Sequence, residues 1–353
     1  MSISVLGLAL YGPLAASTRY RLTQFAPGLK QCGVDLTVQS LLSDTYVERT
    51  FAGKRYPLTS LVRDYFSRLR LLLKQGRYDA LFLTGELFPL LPGWIDANLL
   101  RVPYVYDFDD ALFLKYRLER FRSVSFLLNN KFDPVVSGAR AVLAGNSYLA
   151  KYGVLHNPAT RILPTVVDTN RFLPKPGRDR SIFTVGWIGS PSTSIYLQEL
   201  KVPLEVLGRE GRVRLVMVGG KCDPIPGVDI VNLPWSESTE VELINTFDVG
   251  IMPLFDDEWA RGKCAFKLIQ YMACGVPVIA SPVGTNCEVV TPTSGILAAD
   301  SDAWTEAFRT LRDSPTLRSK MGDAGRERVV ERYSLQYALP LMADTLKSVA
   351  ASR

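Results

Sequence analysis

The chain has 353 residues, a formal net charge of +6, five cysteines and a single histidine. With 47% hydrophobic and 22% charged residues it has the composition of a folded globular protein, which excludes a disordered chain, and its length suits two α/β domains better than one core. The cysteines (Cys32, Cys222, Cys264, Cys274, Cys287) form no CxxC pair, and with His156 alone beside them they argue against a zinc site or a disulfide framework and for a reducing compartment.

The opening MSISVLGLALYG lacks a basic leader region and reads as a buried strand. No apolar run approaches the roughly 18 residues that span a bilayer. A cytoplasmic protein is expected, at most peripheral on the inner face of the cell membrane. Residues 1–170 hold 20 Lys and Arg against 13 Asp and Glu, whereas residues 171–353 hold 21 against 22. All the excess basicity therefore lies in the first half, as on a surface meeting an anionic partner.

Strand-like runs at Ser2–Tyr11, Val34–Leu41, Ala80–Thr84, Pro103–Asp107, Ala141–Ala144 and Arg161–Pro164 alternate with helical patterns at Arg19–Cys32, Leu58–Gln75, Glu86–Leu99 and Arg117–Asn130. Short apolar strands separated by helices predict a parallel sheet covered on both faces. The breaker-rich stretch Val166–Asp179, with Pro174, Pro176 and Gly177, marks a boundary. The alternation then restarts with strands at Ser181–Ile188, Val213–Val218, Val228–Asn232, Val249–Pro253 and Val276–Ala280, and two or three helices follow from about Ala303. The expected domains are 1–170 and 171–335, with 336–353 as a final helix. Ligands of doubly wound sheets bind beyond the carboxyl ends of the strands, so two such domains predict a site in the cleft between them.

In the first domain, the loop Gly12–Arg21 offers Gly12 for close backbone approach and Arg19 and Arg21 as anion or acceptor contacts. The stretch Lys54–Arg77 has seven basic residues against one acid, Asp64, interleaved with Leu58, Leu61, Val62, Tyr65, Phe66, Leu69 and Leu72. Such a basic amphipathic helix suits a membrane headgroup region, or alternatively packs its stripe on its own sheet. Asp107, Asp109 and Asp110 stand together at a strand end, where carboxylates hold hydroxyls, orient an arginine or bind a divalent cation. Hydroxyl or acceptor contacts are the preferred reading.

In the second domain, Gly186–Thr193 follows the first strand; Gly189, Ser190, Ser192 and Thr193 suit a donor-binding turn. Arg261–Gly284 carries a helix whose first turn is expected to hold Lys263 and Lys267 and no acid. Two ammonium groups at the positive end of a helix dipole are unfavourable until an anion binds there, so a phosphate site is expected. Phe266 and Gln270 are assigned to the same donor site, although Phe266 and Met272 also fit the core face. Trp235, in the loop Leu233–Trp235, is a candidate base contact.

Taken together, the GWIGSPST loop, FDVGIMPL (Phe247–Leu254), FKLIQYMACGVPVIASPVG, NSYLA and ILPTVVDTNRF resemble the GT-B glycosyltransferases of family four, also labelled group one, over nearly the whole chain. The resemblance implies two doubly wound, Rossmann-like parallel-sheet domains facing across a cleft. It also implies transfer with retention from a nucleoside-diphosphate sugar held by the second domain to an acceptor held by the first, without a metal or cofactor. UDP is the first expectation for the donor and GDP the second, with a lipid-linked or polysaccharide acceptor and no nucleic acid. Tyr333–Ser352 is the implied helix returning to the first domain. Where the family carries a Glu, seven residues and a second Glu, this chain has Gly262 and Gln270. The family's Arg and Lys after the first strand of the second domain give way to Ser190–Thr193, and the histidine ending the strand Pro103–Asp107 gives way to the three aspartates. Lys263 and Lys267 would then supply the missing charge. An epimerase or phosphorylase on the same fold, and a non-catalytic nucleotide-sugar-binding subunit, are the alternatives.

Overall fold

The computed structural model describes residues 2–175 and 182–353. Pro176, Gly177 and Asp179 of the expected boundary, and Ser181 of the expected strand, lie outside the described residues. The chain divides into two compact units, Met1–Thr165 with Leu335–Arg353, and Val166–Ser334. The first border thus falls five residues earlier than the sequence suggested, and the second one residue earlier.

The first unit holds a six-stranded sheet of β1 (Ile3–Tyr11), β2 (Val34–Leu42), β3 (Ala80–Thr84), β4 (Tyr104–Phe108), β5 (Ala141–Ala144) and β6 (Thr160–Ile162), in the order β2-β1-β3-β4-β5-β6. Every pairing is parallel. All five residues of both β3 and β4 are buried, which is why these strands read as continuous apolar runs and not as alternation. The helix Leu335–Ala350 completes this unit. It buries Ala338, Met342, Leu346 and Val349, and its Leu339 lies against Gly28, where a Cβ would come within 2.6 Å.

The second unit holds β7 (Phe183–Ile188), β8 (Val213–Val218), β9 (Val228–Leu233), β10 (Val249–Met252), β11 (Val278–Ala280) and β12 (Gly295–Leu297), in the order β12-β11-β10-β7-β8-β9 and again all parallel. Its core joins Val185, Leu215, Met217 and Ile251 of the sheet to Leu204, Leu207, Trp304, Phe308 and Leu311 of the covering helices.

Several expected elements differ. The pattern at Arg19–Cys32 is broken into helices Ala16–Arg21 and Ala26–Gln31 around a 3-10 turn, Thr23–Phe25. Pro27 has no N–H and cannot continue a helix from the preceding turn. The helix expected from Glu86 begins only at Gly93, because Pro89 and Pro92 interrupt it. Arg117–Asn130 is not one helix but 3-10 turns at Leu112–Arg117 and Glu119–Phe121 and a single turn at Ser125–Leu128. Within Arg117–Asn130 only Leu128 is buried, so the segment has no apolar face recurring at helical spacing to pack as one helix. The helices Asp44–Phe51, Asp133–Gly138 and Ser147–His156, and strand β12, were not anticipated.

Candidate active site

In the second sheet, chain order runs outward from β7 through β8 and β9, and from β10 the other way through β11 and β12. The reversal lies between β7 and β10, and ligands of such sheets collect beyond the carboxyl ends of the strands at that reversal. The end of β7 leads into Gly189–Thr193, and the end of β10 leads toward the helix Phe266–Ala273.

Lys267, the second residue of that helix, comes over the β7 end. Its ammonium donates to Thr193 Oγ1 (3.4 Å) and lies 4.1 Å from the centre of the Trp187 ring, a cation–π contact. Burial first, and the like charge of Lys263 second, push its pKa down to about 7. The surroundings thus resist a cation that the sequence has placed there, and an incoming anion would reverse that balance. Gly189 makes the approach possible: a Cβ there would lie 2.6 Å from Lys267 Nζ and 2.7 Å from the Trp187 ring.

Lys263 is not in the first turn of this helix, as expected. A separate turn, Glu258–Arg261, capped by the Asp257 carboxylate, ends at Gly262, and Lys263 follows in the connection. Its Nζ lies 5.9 Å from the Tyr196 ring centre. Ala265 enters the helix in the left-handed region (φ 52°), so the chain turns sharply just before the first helical N–H groups. Successive N–H groups on such a left-to-right transition converge on one point and form an anion-binding concavity. Ser190 and Ser192 share a hydroxyl–hydroxyl contact (3.0 Å), and the Thr193 hydroxyl donates to the Ser190 carbonyl (2.9 Å). The turn therefore keeps its hydroxyls together at the end of β7. Phe266 is half-buried beside Lys267, whereas Met272 is wholly buried.

Gln270 and Trp235 meet at a residue the sequence did not single out. The buried Glu240 carboxylate accepts from Trp235 Nε1 (3.1 Å) and Gln270 Nε2 (3.4 Å) on one oxygen, and from Arg171 (2.7 Å) on the other. Trp235 thus spends its N–H within the protein. Glu240 heads a short helix with a second glutamate, Glu242, and in sequence the pair reads only as acids suiting a helix dipole.

The first unit reassigns two expected site residues. Arg21 and Asp107 are both wholly buried and form a two-pronged ion pair; Arg21 Nε donates to Asp107 Oδ2 (3.0 Å), and Nη2 meets Oδ1. Thr84 Oγ1 donates to the same carboxylate (3.0 Å), and Arg21 Nη1 reaches the Leu163 carbonyl (2.8 Å). Both groups are consumed in tying β3, β4 and the segment after β6 together. Arg19 is buried too, donating to the carbonyls of Pro13 (3.1 Å) and Leu14 (3.3 Å). At Gly12 the close neighbour is Asp44, whose carboxylate accepts from Leu14 N (2.9 Å) and occupies the space a Cβ would need.

Asp109 and Asp110 remain half-exposed just beyond β4. Desolvation raises the Asp109 pKa to about 6; Arg21 opposes this, while Asp107 and Asp110 add to it. Asp110 accepts from the Ala111 N–H (3.1 Å). An unanticipated neighbour of the first strand is Glu86, buried after β3, which pairs with Lys115 and accepts from the Tyr116 hydroxyl (2.6 Å). Tyr11 at the end of β1 has its pKa pushed up to about 12, by burial first and then by Tyr46 and Glu86. Among the described residues, no group of three or more His, Cys, Asp or Glu side chains gathers as a metal site.

Residues 183–314 match the family model described as Glycosyl transferases group 1. Over 86 residues, 24% of the chain, the sequence is 36% identical to a GDP-mannose-dependent monoacylated alpha-(1-6)-phosphatidylinositol monomannoside mannosyltransferase of Corynebacterium glutamicum. Over 194 residues, 50% of the chain, it is 29% identical to an MMP alpha-(1->4)-mannosyltransferase of Mycolicibacterium hassiacum. The matched stretches span 22% and 45% of those relatives' own lengths. Among solved structures, a sucrose-phosphate synthase from Thermosynechococcus elongatus superposes with a TM-score of 0.69 at 16% identity, covering 100% of both chains. Anabaena HepE, in complex with UDP and glucose, superposes with 0.69 at 15% identity, covering 98% of this chain and 100% of that one. Residues 183–314 are therefore similar to the glycosyl transferases of group 1, and the chain has the fold of the GT-B glycosyltransferases.

Proposed function

We propose that this protein transfers a sugar from a nucleoside-diphosphate sugar to a lipid-linked or polysaccharide acceptor. The observation that carries this is the placement of Lys267. It is a partly desolvated ammonium between Trp187 and Thr193, beside a left-handed helix entry, at the strand ends where this fold binds ligands.

In this reading the diphosphate lies against Lys267, Lys263 and the N–H groups that follow Ala265, with Ser190, Ser192 and Thr193 as hydroxyl donors. Positive charge held ready there stabilises the leaving diphosphate as the bond to the anomeric carbon breaks. The acceptor oxygen bonds to that carbon on the same face, and its proton passes to a phosphate oxygen. Transfer is then with retention. The lysines supply the charge a metal would otherwise bring, so the reaction is proposed to need none. Asp109 and Asp110 hold acceptor or sugar hydroxyls in the first unit. Glu240 fixes Gln270 for the ribose and turns the Trp235 ring toward the base.

The family resemblance puts UDP ahead of GDP. The two mannosyltransferase relatives shift the preference to GDP-mannose, and a phosphatidylinositol mannoside acceptor in one of them supports a lipid-linked acceptor here. The site is proposed to work on the inner face of the cell membrane. The test is a thermal-shift and turnover panel of GDP-mannose, UDP-glucose and UDP-N-acetylglucosamine with a membrane lipid extract. Stabilisation by GDP-mannose and release of GDP are expected. No stabilisation by any donor would leave a non-catalytic subunit as the better account.

A further inference from the structure

The helix Leu58–Leu73 has a wide apolar surface, and the fold uses only part of it. Toward the sheet it presents Tyr65, Arg68 and Leu72. The Tyr65 hydroxyl donates to the Pro89 carbonyl (3.0 Å), and buried Arg68 donates to the carbonyls of Ala9 (2.6 Å) and Gln39 (3.0 Å) on β1 and β2. Leu58, Val62, Phe66, Leu69 and Leu73 are left 73%, 48%, 60%, 38% and 83% exposed.

At helical spacing these five side chains fall within an arc of about 80°, so they form one continuous stripe and not a scatter of single exposures. Arg63, Arg70 and Lys74, all exposed, run along one edge of that stripe. The acid of the segment, Asp64, accepts from the Tyr56 hydroxyl (2.7 Å) and lies 3.8 Å from Arg63 Nε, a loose contact that leaves the Arg63 side chain 76% exposed. Trp94 is 62% exposed just beyond the Pro89 segment that Tyr65 touches.

We infer that this face docks on the surface of an anionic lipid bilayer. The stripe enters the boundary between headgroups and acyl chains, while Arg63, Arg70 and Lys74 reach lipid phosphates with their stems along the apolar edge. Charge decides between a bilayer and a second copy of the chain. A symmetric pairing through this face would set the row of cations against itself, whereas anionic headgroups neutralise it. The docking is independent of the donor chemistry, so a chain without transferase activity would still bind.

The test is co-sedimentation with vesicles of mixed phosphatidylglycerol and phosphatidylcholine, against phosphatidylcholine alone. The protein is expected to bind the mixed vesicles and to bind neutral ones far more weakly. Phe66→Asp combined with Leu73→Asp is expected to lower binding by about tenfold or more, with the thermal midpoint unchanged because both side chains are exposed. Arg63→Glu combined with Arg70→Glu is expected to lower it by about fivefold or more per cation removed, with the loss disappearing at high salt. Equal binding to both vesicle types overturns the inference, as do variants that bind like the unaltered protein. A dimer in solution that dissociates on Phe66→Asp overturns it too, since a second copy would then cover the stripe.

Discussion

The Lys267 ammonium lies over the face of Trp187, 4.1 Å from the ring centre, with the Thr193 hydroxyl 3.4 Å away. An indole and a hydroxyl replace little of the hydration a free ammonium enjoys, which is why burial dominates the fall of its pKa to about 7. Between about 7 and the ordinary 10.5, the unfolded chain holds a proton that folded Lys267 lacks, so this group makes stability rise with pH across that window. If the proposed diphosphate site is right, bound nucleotide restores that proton. Calorimetry of GDP binding at pH about 8, in buffers of different ionisation enthalpy, should show uptake approaching one proton. Lys267→Met should abolish that uptake, and uptake persisting in the variant would place the titrating group elsewhere.

Gly189→Ala tests the same site from its other side. The added methyl would meet both Lys267 Nζ (2.6 Å) and the Trp187 ring (2.7 Å), so the lysine must move. Losing a well-placed charged hydrogen bond corresponds to about a tenfold or greater loss of nucleotide affinity. Titration calorimetry on the folded variant checks this, and unchanged affinity would mean that Lys267 is not where the ligand binds.

The buried pair of Arg21 and Asp107 should act on stability and not on donor affinity. Asp107→Ala leaves a wholly buried guanidinium without its carboxylate, a change that typically costs about 3–5 kcal/mol. Urea denaturation should show that loss. A variant of normal stability would return Asp107 to the set of groups available for chemistry.

Asp109→Asn should do the opposite. With its pKa raised from 3.8 to about 6, folded Asp109 holds a proton across that interval while the unfolded chain releases it. Stability from this group is therefore present at low pH and lost as pH rises through about 6. Relative to the unaltered protein, the asparagine variant should gain stability between about pH 4 and 6 and keep that gain above it. Denaturation midpoints at either end of the interval check this, and a gain independent of pH would contradict it.

Much of the architecture was legible because fully buried strands leave continuous apolar runs; β3, β5 and β8 fall on the expected residues. Helices were less so where proline interrupts a good pattern, as at Pro27, Pro89 and Pro92, and where one-turn helices carry too few residues to show a period. Lys267 stood out by its charge at an unfavourable helix end, whereas Lys263, expected beside it, lies in the connection before the helix. Glu240 did not, because an acid at a helix start is ordinary and only the tertiary fold brings Trp235, Gln270 and Arg171 to it. Arg21 and Asp107 misled for the same reason: a loop arginine and a strand-end carboxylate look available until their pairing is seen.

The central claim is that Lys267 grips the donor diphosphate. Titration calorimetry of GDP-mannose into the unaltered protein and into Lys267→Ala tests it most directly. The account predicts measurable binding that falls by about 10- to 100-fold in the variant, the range for a lost charge-assisted contact. Equal affinity in the two proteins would contradict it.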